Sequence, residues 1–115
     1  MNKQPAVYIL ASRRNGTLYT GVTSNIVKRV WQHKNGVYDG FTKRYGVHLL
    51  VWFEIYPSMA SAIKREKQIK EWKRKWKLEI IEKNNPDWDD LYDSISGLDS
   101  GFRRNDSLKK STTTN

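Results

Sequence analysis

The sequence predicts an α+β domain with a small, mostly antiparallel sheet, in the order β-β-α-β followed by helices. Three observations predict it. Two runs rich in β-branched and aromatic residues, Val7 to Ser12 and Thr17 to Thr23, flank Asn15-Gly16, a strong hairpin signal. Ile26, Val27, Val30, Trp31 and Lys34 then recur at helical spacing. A third apolar run, His48 to Tyr56, is stopped by Pro57-Ser58 and precedes a long helical stretch.

Each element has its punctuation. Ser24 or Asn25 can cap the first helix, and Asn35-Gly36 ends it. Val37 to Val47 reads as a loop marked by Gly40 and Gly46. From Met59 to about Lys83 neither Gly nor Pro interrupts the helical pattern, and Asn84-Asn85-Pro86 closes it. Periodicity alone does not tell one helix from two. Asp87 to Ile95 adds an acidic turn. The segment from Gly97 onward is rich in Gly, Ser, Asp, Asn and Thr and predicts a disordered tail. The expected division is an extension at 1–5, a domain at 6–95 and a tail at 96–115.

A chain of 115 residues can bury a core of its own. It has no cysteine, which excludes disulfides and thiolate metal sites. No apolar run approaches the roughly 20 residues of a membrane span. The start, Met1-Asn2-Lys3-Gln4-Pro5, lacks the apolar stretch of a signal peptide, so the expected location is the cytoplasm. Net charge is +9, from 21 Lys and Arg against 12 Asp and Glu. Such a surplus favours a polyanionic partner, nucleic acid above all, although many small proteins are basic for solubility alone.

The chemistry-bearing residues fall in four groups. Glu66 interrupts the apolar stripe of Met59, Ala62, Ile63 and Ile69, while Lys64, Lys67 and Lys70 crowd the solvent face. A carboxylate facing a core is costly unless paired or bound to a cation, and spacing leaves both open. Arg29 and His33 are four apart on the first helix and could meet one phosphate, though such residues are usually surface. Tyr8 and Tyr19 share one face of the hairpin by the period of two, which alone is weak evidence. From Lys64 to Lys77, eight Lys or Arg stand against two Glu. Lys34, Lys64, Lys67, Lys70, Lys73 and Arg74 are the candidate phosphate contacts. Trp72 and Trp76 could stack on bases, but four apart and followed by Ile80 they read as core.

Taken in order, these residues resemble a GIY-YIG nuclease domain of the compact bacterial kind. Ala6-Val7-Tyr8 stands for Gly-Ile-Tyr, and Tyr19-Thr20-Gly21 for Tyr-Ile-Gly. Ile26 to Lys34 resembles the helix with the catalytic Arg and His, Arg29 and His33 here. Ala62 to Lys70 resembles the segment bearing the metal-binding Glu, here Glu66, and Asn85 matches a late, site-supporting Asn. The departures, Ala6 for Gly and Thr20 for Ile, leave both tyrosines in place. The resemblance runs from about Ala6 to Tyr92 and implies a three-stranded antiparallel sheet flanked by helices. It also implies a break in the long helical stretch near Glu71 or Trp72.

The implied activity is hydrolysis of phosphodiester bonds in DNA with one Mg²⁺ or Mn²⁺ held by Glu66. Arg29 would stabilise the phosphate, and Tyr8, Tyr19 or His33 would serve the attacking water. A phenol titrates near 10, so a base role needs neighbouring positive charge. With affinity supplied by a basic surface, low sequence specificity is expected, and single-stranded, duplex and branched DNA stay open. The alternative is a non-catalytic nucleic-acid-binding or repair-adaptor module.

Overall fold

The computed structural model describes residues 4–37 and 40–100. The order is β1 (Ala6–Ala11), β2 (Leu18–Thr23), α1 (Ile26–Lys34), α2 (Phe41–Arg44), β3 (Leu49–Ile55), α3 (Met59–Glu71), α4 (Arg74–Asn84) and α5 (Tyr92–Ser100). The three strands form one antiparallel sheet in the order β2-β1-β3.

β1 lies in the middle, and all six of its residues are fully buried. Alternation sends Ala6, Tyr8 and Leu10 to one face, against Ile26, Val27 and Val30 of α1 and Ile95 of α5. Val7, Ile9 and Ala11 go to the other, against Ala62 and Ile69 of α3 and Ile81 of α4. A strand covered on both faces reads as a continuous apolar run, which is what Ala6–Ala11 is.

The hairpin differs from its expected form. Ser12 and Thr17 close a four-residue loop, with the Ser12 amide donating to the Thr17 carbonyl at 3.0 Å and the Gly16 amide to that of Arg13 at 2.9 Å. Asn15 takes the left-handed conformation, φ 58°. Pairing is therefore slipped by two residues from a two-residue turn, Leu10 facing Tyr19 and Tyr8 facing Gly21. A slip of two preserves parity, so both tyrosines keep the same face.

At the first helix Asn25, rather than Ser24, is the cap, its Oδ1 accepting from the Lys28 amide at 3.1 Å. The stretch expected as a loop contains α2, too short for periodicity to reveal. The long helical stretch is two helices, parted where Trp72 and Lys73 adopt extended backbone. That break explains a correction. Trp72 and Trp76 do not belong to one helix, so the four-residue spacing does not put both in the core. Trp72 and Ile80 pack against the α3 side, whereas Trp76 is 49 % exposed. Ile63 likewise falls at the edge of its stripe, 37 % exposed. In place of a mere acidic turn, Trp88 is core and its indole donates to Glu82 at 2.8 Å. α5 crosses the expected boundary at 95, and 101–115 lie outside the described residues.

β3 is an edge strand, and the segment after α4 covers its open side. A bulge sets Ile9 opposite Trp52 and Leu10 opposite Leu50, leaving Val51 as the extra residue. The Asn85 amide donates to the Val51 carbonyl at 3.1 Å and to that of Asp89 at 2.9 Å, while its Oδ1 accepts from the Asp89 amide at 3.0 Å. Next along the edge, Leu50 donates to Asp90 Oδ1 at 3.2 Å and its carbonyl accepts from Leu91 at 2.7 Å.

Candidate active site

On the α1 face of the sheet, Tyr8, Tyr19 and His33 converge. The ring centroids lie 6.3 Å apart for the two tyrosines, 6.0 Å for Tyr8 and His33, and 5.6 Å for Tyr19 and His33. The Tyr8 hydroxyl and His33 Nε2 are 3.2 Å apart, and His33 Nδ1 and Thr42 Oγ1 are 3.1 Å apart. Both hydroxyls can donate or accept, so either neutral tautomer satisfies both ring nitrogens. Thr42 on α2 is a member of this group that sequence spacing did not reveal.

Gly21 makes the arrangement possible. It faces Tyr8 across the strand pair, and a Cβ there would stand 2.5 Å from the Tyr8 Cζ and hydroxyl. The phenol thus lies over bare backbone, which gives a physical reason for Gly in the Tyr19-Thr20-Gly21 motif.

Tyr8 is fully buried and Tyr19 half-buried, so Tyr19 is the phenol with access to solvent. Arg29 lies half-buried one helical turn before His33. Burial, then the Arg29 charge, lower the His33 pKa to about 4, and the imidazole is neutral at pH 7. An unfolded histidine titrates near 6.5, so the unfolded chain binds the extra proton between those values. The stability owed to neutral His33 is therefore complete above about pH 6.5 and is lost as pH falls toward 4. Urea denaturation should show a loss of about 2 kcal/mol between pH 7.5 and 5.0 that is largely absent in His33→Gln. Equal losses in the two proteins would refute this placement of His33.

Glu66 belongs to α3, between Ala62 and Ile69 of the opposite core cluster. It is buried as its stripe predicts, 8 % exposed, and Oε2 is 2.6 Å from Lys70 Nζ. α3 packs on β1 and on β2, the edge strand that carries Tyr19. Asn85 is fixed at the β3 bulge by its bonds to Val51 and Asp89.

The six expected phosphate contacts divide. Lys64, Lys67 and Lys73 are exposed. Lys70 holds Glu66. Lys34 is ion-paired to Asp90 and lies 5.4 Å from the Tyr92 ring centroid, tying α1 to the last segment. Burial would raise the Asp90 pKa, but Lys34 and the Tyr92 and Leu50 amides prevail and hold its carboxyl below the usual range. Arg74 Nη2 donates to the carbonyls of Asn15 and Gly16 at 2.8 and 2.7 Å and pins the hairpin loop. Lys34 and Arg74 thus each tie together segments far apart in sequence.

The sequence model described as the GIY-YIG catalytic domain matches residues 4–79. A UPF0213 protein of Syntrophus aciditrophicus is 43% identical over 79 residues, spanning 68% of this chain and 90% of that protein. One from Clostridium perfringens is 40% identical over 75 residues, spanning 65% and 80%. The solution NMR structure of a UPF0213 protein from Bacillus halodurans is 26% identical, covering 76% of this chain and 93% of that one at a TM-score of 0.49.

Proposed function

The chain belongs to the GIY-YIG family, a family of nucleases, and on that premise we propose that it is a metal-dependent endonuclease hydrolysing DNA phosphodiester bonds with low sequence specificity. The observation that carries the reading is the Tyr8–His33–Thr42 chain with Tyr19 beside it and Arg29 one turn away. Such a buried polar cluster on a sheet face is unusual in a core and typical of sites that move protons.

The donor set fits one Mg²⁺ or Mn²⁺. Among the described residues no group of three or more His, Cys, Asp or Glu could cage a metal. A single carboxylate suits Mg²⁺, which keeps waters and takes oxygens from phosphate. Glu66 is available for this, because its counter-ion Lys70 has a half-exposed side chain free to retire into water. Once bound, the ion supplies charge stabilisation to the phosphate and leaving oxygen.

The other residues divide the remaining work. Arg29 stabilises the non-bridging oxygens. Tyr19, with solvent access, orients the attacking water, and neutral His33 takes up its proton through the Tyr8 or Thr42 hydroxyl, each of which meets a ring nitrogen and passes on its own proton as it receives one. Tyr8 and Thr42 hold the imidazole from both sides. A neighbouring phosphate offsets the Arg29 charge and raises the readiness of His33 to take that proton. The Lys and Arg surface of α3 and α4 supplies affinity without base readout.

One observation favours a second reading, a binding module without cleavage: the Glu66–Lys70 pair is also how a purely structural carboxylate would be satisfied. Purified protein incubated with single-stranded, duplex and branched DNA decides between them. Cleavage with Mg²⁺ or Mn²⁺ that stops in EDTA is the expected result. Retardation of DNA without cleavage of any substrate, with either ion, would replace the first reading by the second.

A further inference from the structure

α2 and its C-cap carry two exposed aromatic rings that the site described above does not use. Phe41 and Tyr45 are 47 % and 49 % exposed, with centroids 4.9 Å apart. They are four residues apart on one face of the turn, while Thr42 points inward to His33. Glycines at positive φ flank α2, Gly40 at 104° and Gly46 at 63°. The Thr42–His33 contact and the 2.8 Å bond from the Val47 amide to the Thr42 carbonyl fasten it.

Phe41 also stands 6.2 Å from Tyr19, so the rings run without interruption from buried Tyr8 through Tyr19 and Phe41 to Tyr45 at the surface. Flanking charge is basic. The Arg44 guanidinium lies 5.6 Å from the Tyr45 centroid, and exposed Lys43 is on the same turn. Contiguous exposed apolar surface marks an interaction site. Aromatic faces edged by cations suit unpaired nucleobases, whose flat faces stack while the phosphates meet the charges. In an intact duplex those faces are already stacked.

We propose that Phe41 and Tyr45 form a stacking subsite for an unpaired nucleobase, which delivers a single strand or frayed end to Tyr19 and Arg29. The subsite takes its place beside the site from the nuclease reading, but its test does not depend on cleavage. Fluorescence anisotropy in EDTA, with a labelled 12-nucleotide oligothymidine and a labelled 12-base-pair duplex, reads binding alone. Phe41→Ala/Tyr45→Ala should weaken binding of the single strand by at least about tenfold and change the duplex by less than about threefold.

Phe41→Trp/Tyr45→Trp should retain single-strand affinity, which a merely structural role for the rings would not require. Tyr45→Ala alone, farther from Tyr19, serves if the double variant fails to fold, with a loss of about fivefold expected. Unchanged single-strand binding in the alanine variants, or an equal loss on both DNAs, would overturn the subsite and leave the platform to a protein partner. Wild type that binds single strands through these rings yet never cuts would overturn the nuclease reading and leave the subsite standing.

Discussion

Replacing Glu66 by Ala is expected to lower metal-dependent cleavage by about a thousandfold or more, with little change in DNA affinity or thermal stability. The rate expectation follows from the proposed role of Glu66, the one protein ligand to an ion that would contribute several kcal/mol to the transition state. The stability expectation follows from the asymmetry of its ion pair. The Lys70 side chain is 52% exposed and the Glu66 side chain 11%. Removing Glu66 releases an ammonium that water accepts, and also removes a carboxylate that was costly to bury. The converse variant, Lys70→Met, strands the buried carboxylate and should cost about 1–3 kcal/mol. If Glu66 is the ligand, Mg²⁺ should restore part of that loss in a thermal melt. A Glu66→Ala protein that cuts at the wild-type rate would sink the assignment.

Gly21→Ala is expected to be the most damaging small substitution in the sheet. The new methyl would meet Tyr8 Cζ and its hydroxyl at 2.5 Å, and that ring is fully buried with no free space to enter. Overpacking of this kind costs about 1–3 kcal/mol, and here it also breaks the Tyr8–His33 contact. Urea denaturation should show that loss, and activity should fall with it. Pairing Gly21→Ala with Tyr8→Leu should recover much of the folding energy and none of the activity, a coupling that distinguishes the clash from a general intolerance of strand β2. A cost below about 0.5 kcal/mol would mean the ring does not lie over Gly21.

What was legible in the sequence is what short-range chemistry encodes. The three strands, the first helix and the shared face of Tyr8 and Tyr19 follow from periods of two and 3.6, and the slipped hairpin did not disturb them because the slip was even. The burial of Glu66 followed from its stripe. What was hidden depends on partners distant in sequence. Nothing near Lys34 announces Asp90, nor does anything near Arg74 announce the Asn15–Gly16 loop. Asn85 matched a family position, but its tie to the β3 bulge shows only when Val51 is left over in the register. Trp76 was misplaced because a period was carried across a helix break, and α2 was missed because four residues do not make one.

The bracing of β3 by residues 85–91 separates two boundaries that are easily conflated. The match to the family's sequence model ends at 79, yet the bulge carbonyl, the Leu50 amide and both core clusters draw on Asn85, Asp90, Trp88 and Ile95. That match therefore stops short of the packed unit. A fragment trimmed at 79 would keep Tyr8, Tyr19, Arg29, His33 and Glu66 while leaving one strand as an open template for self-association. In this chain the candidate site and the cover over the open edge of β3 are successive passages of one sequence.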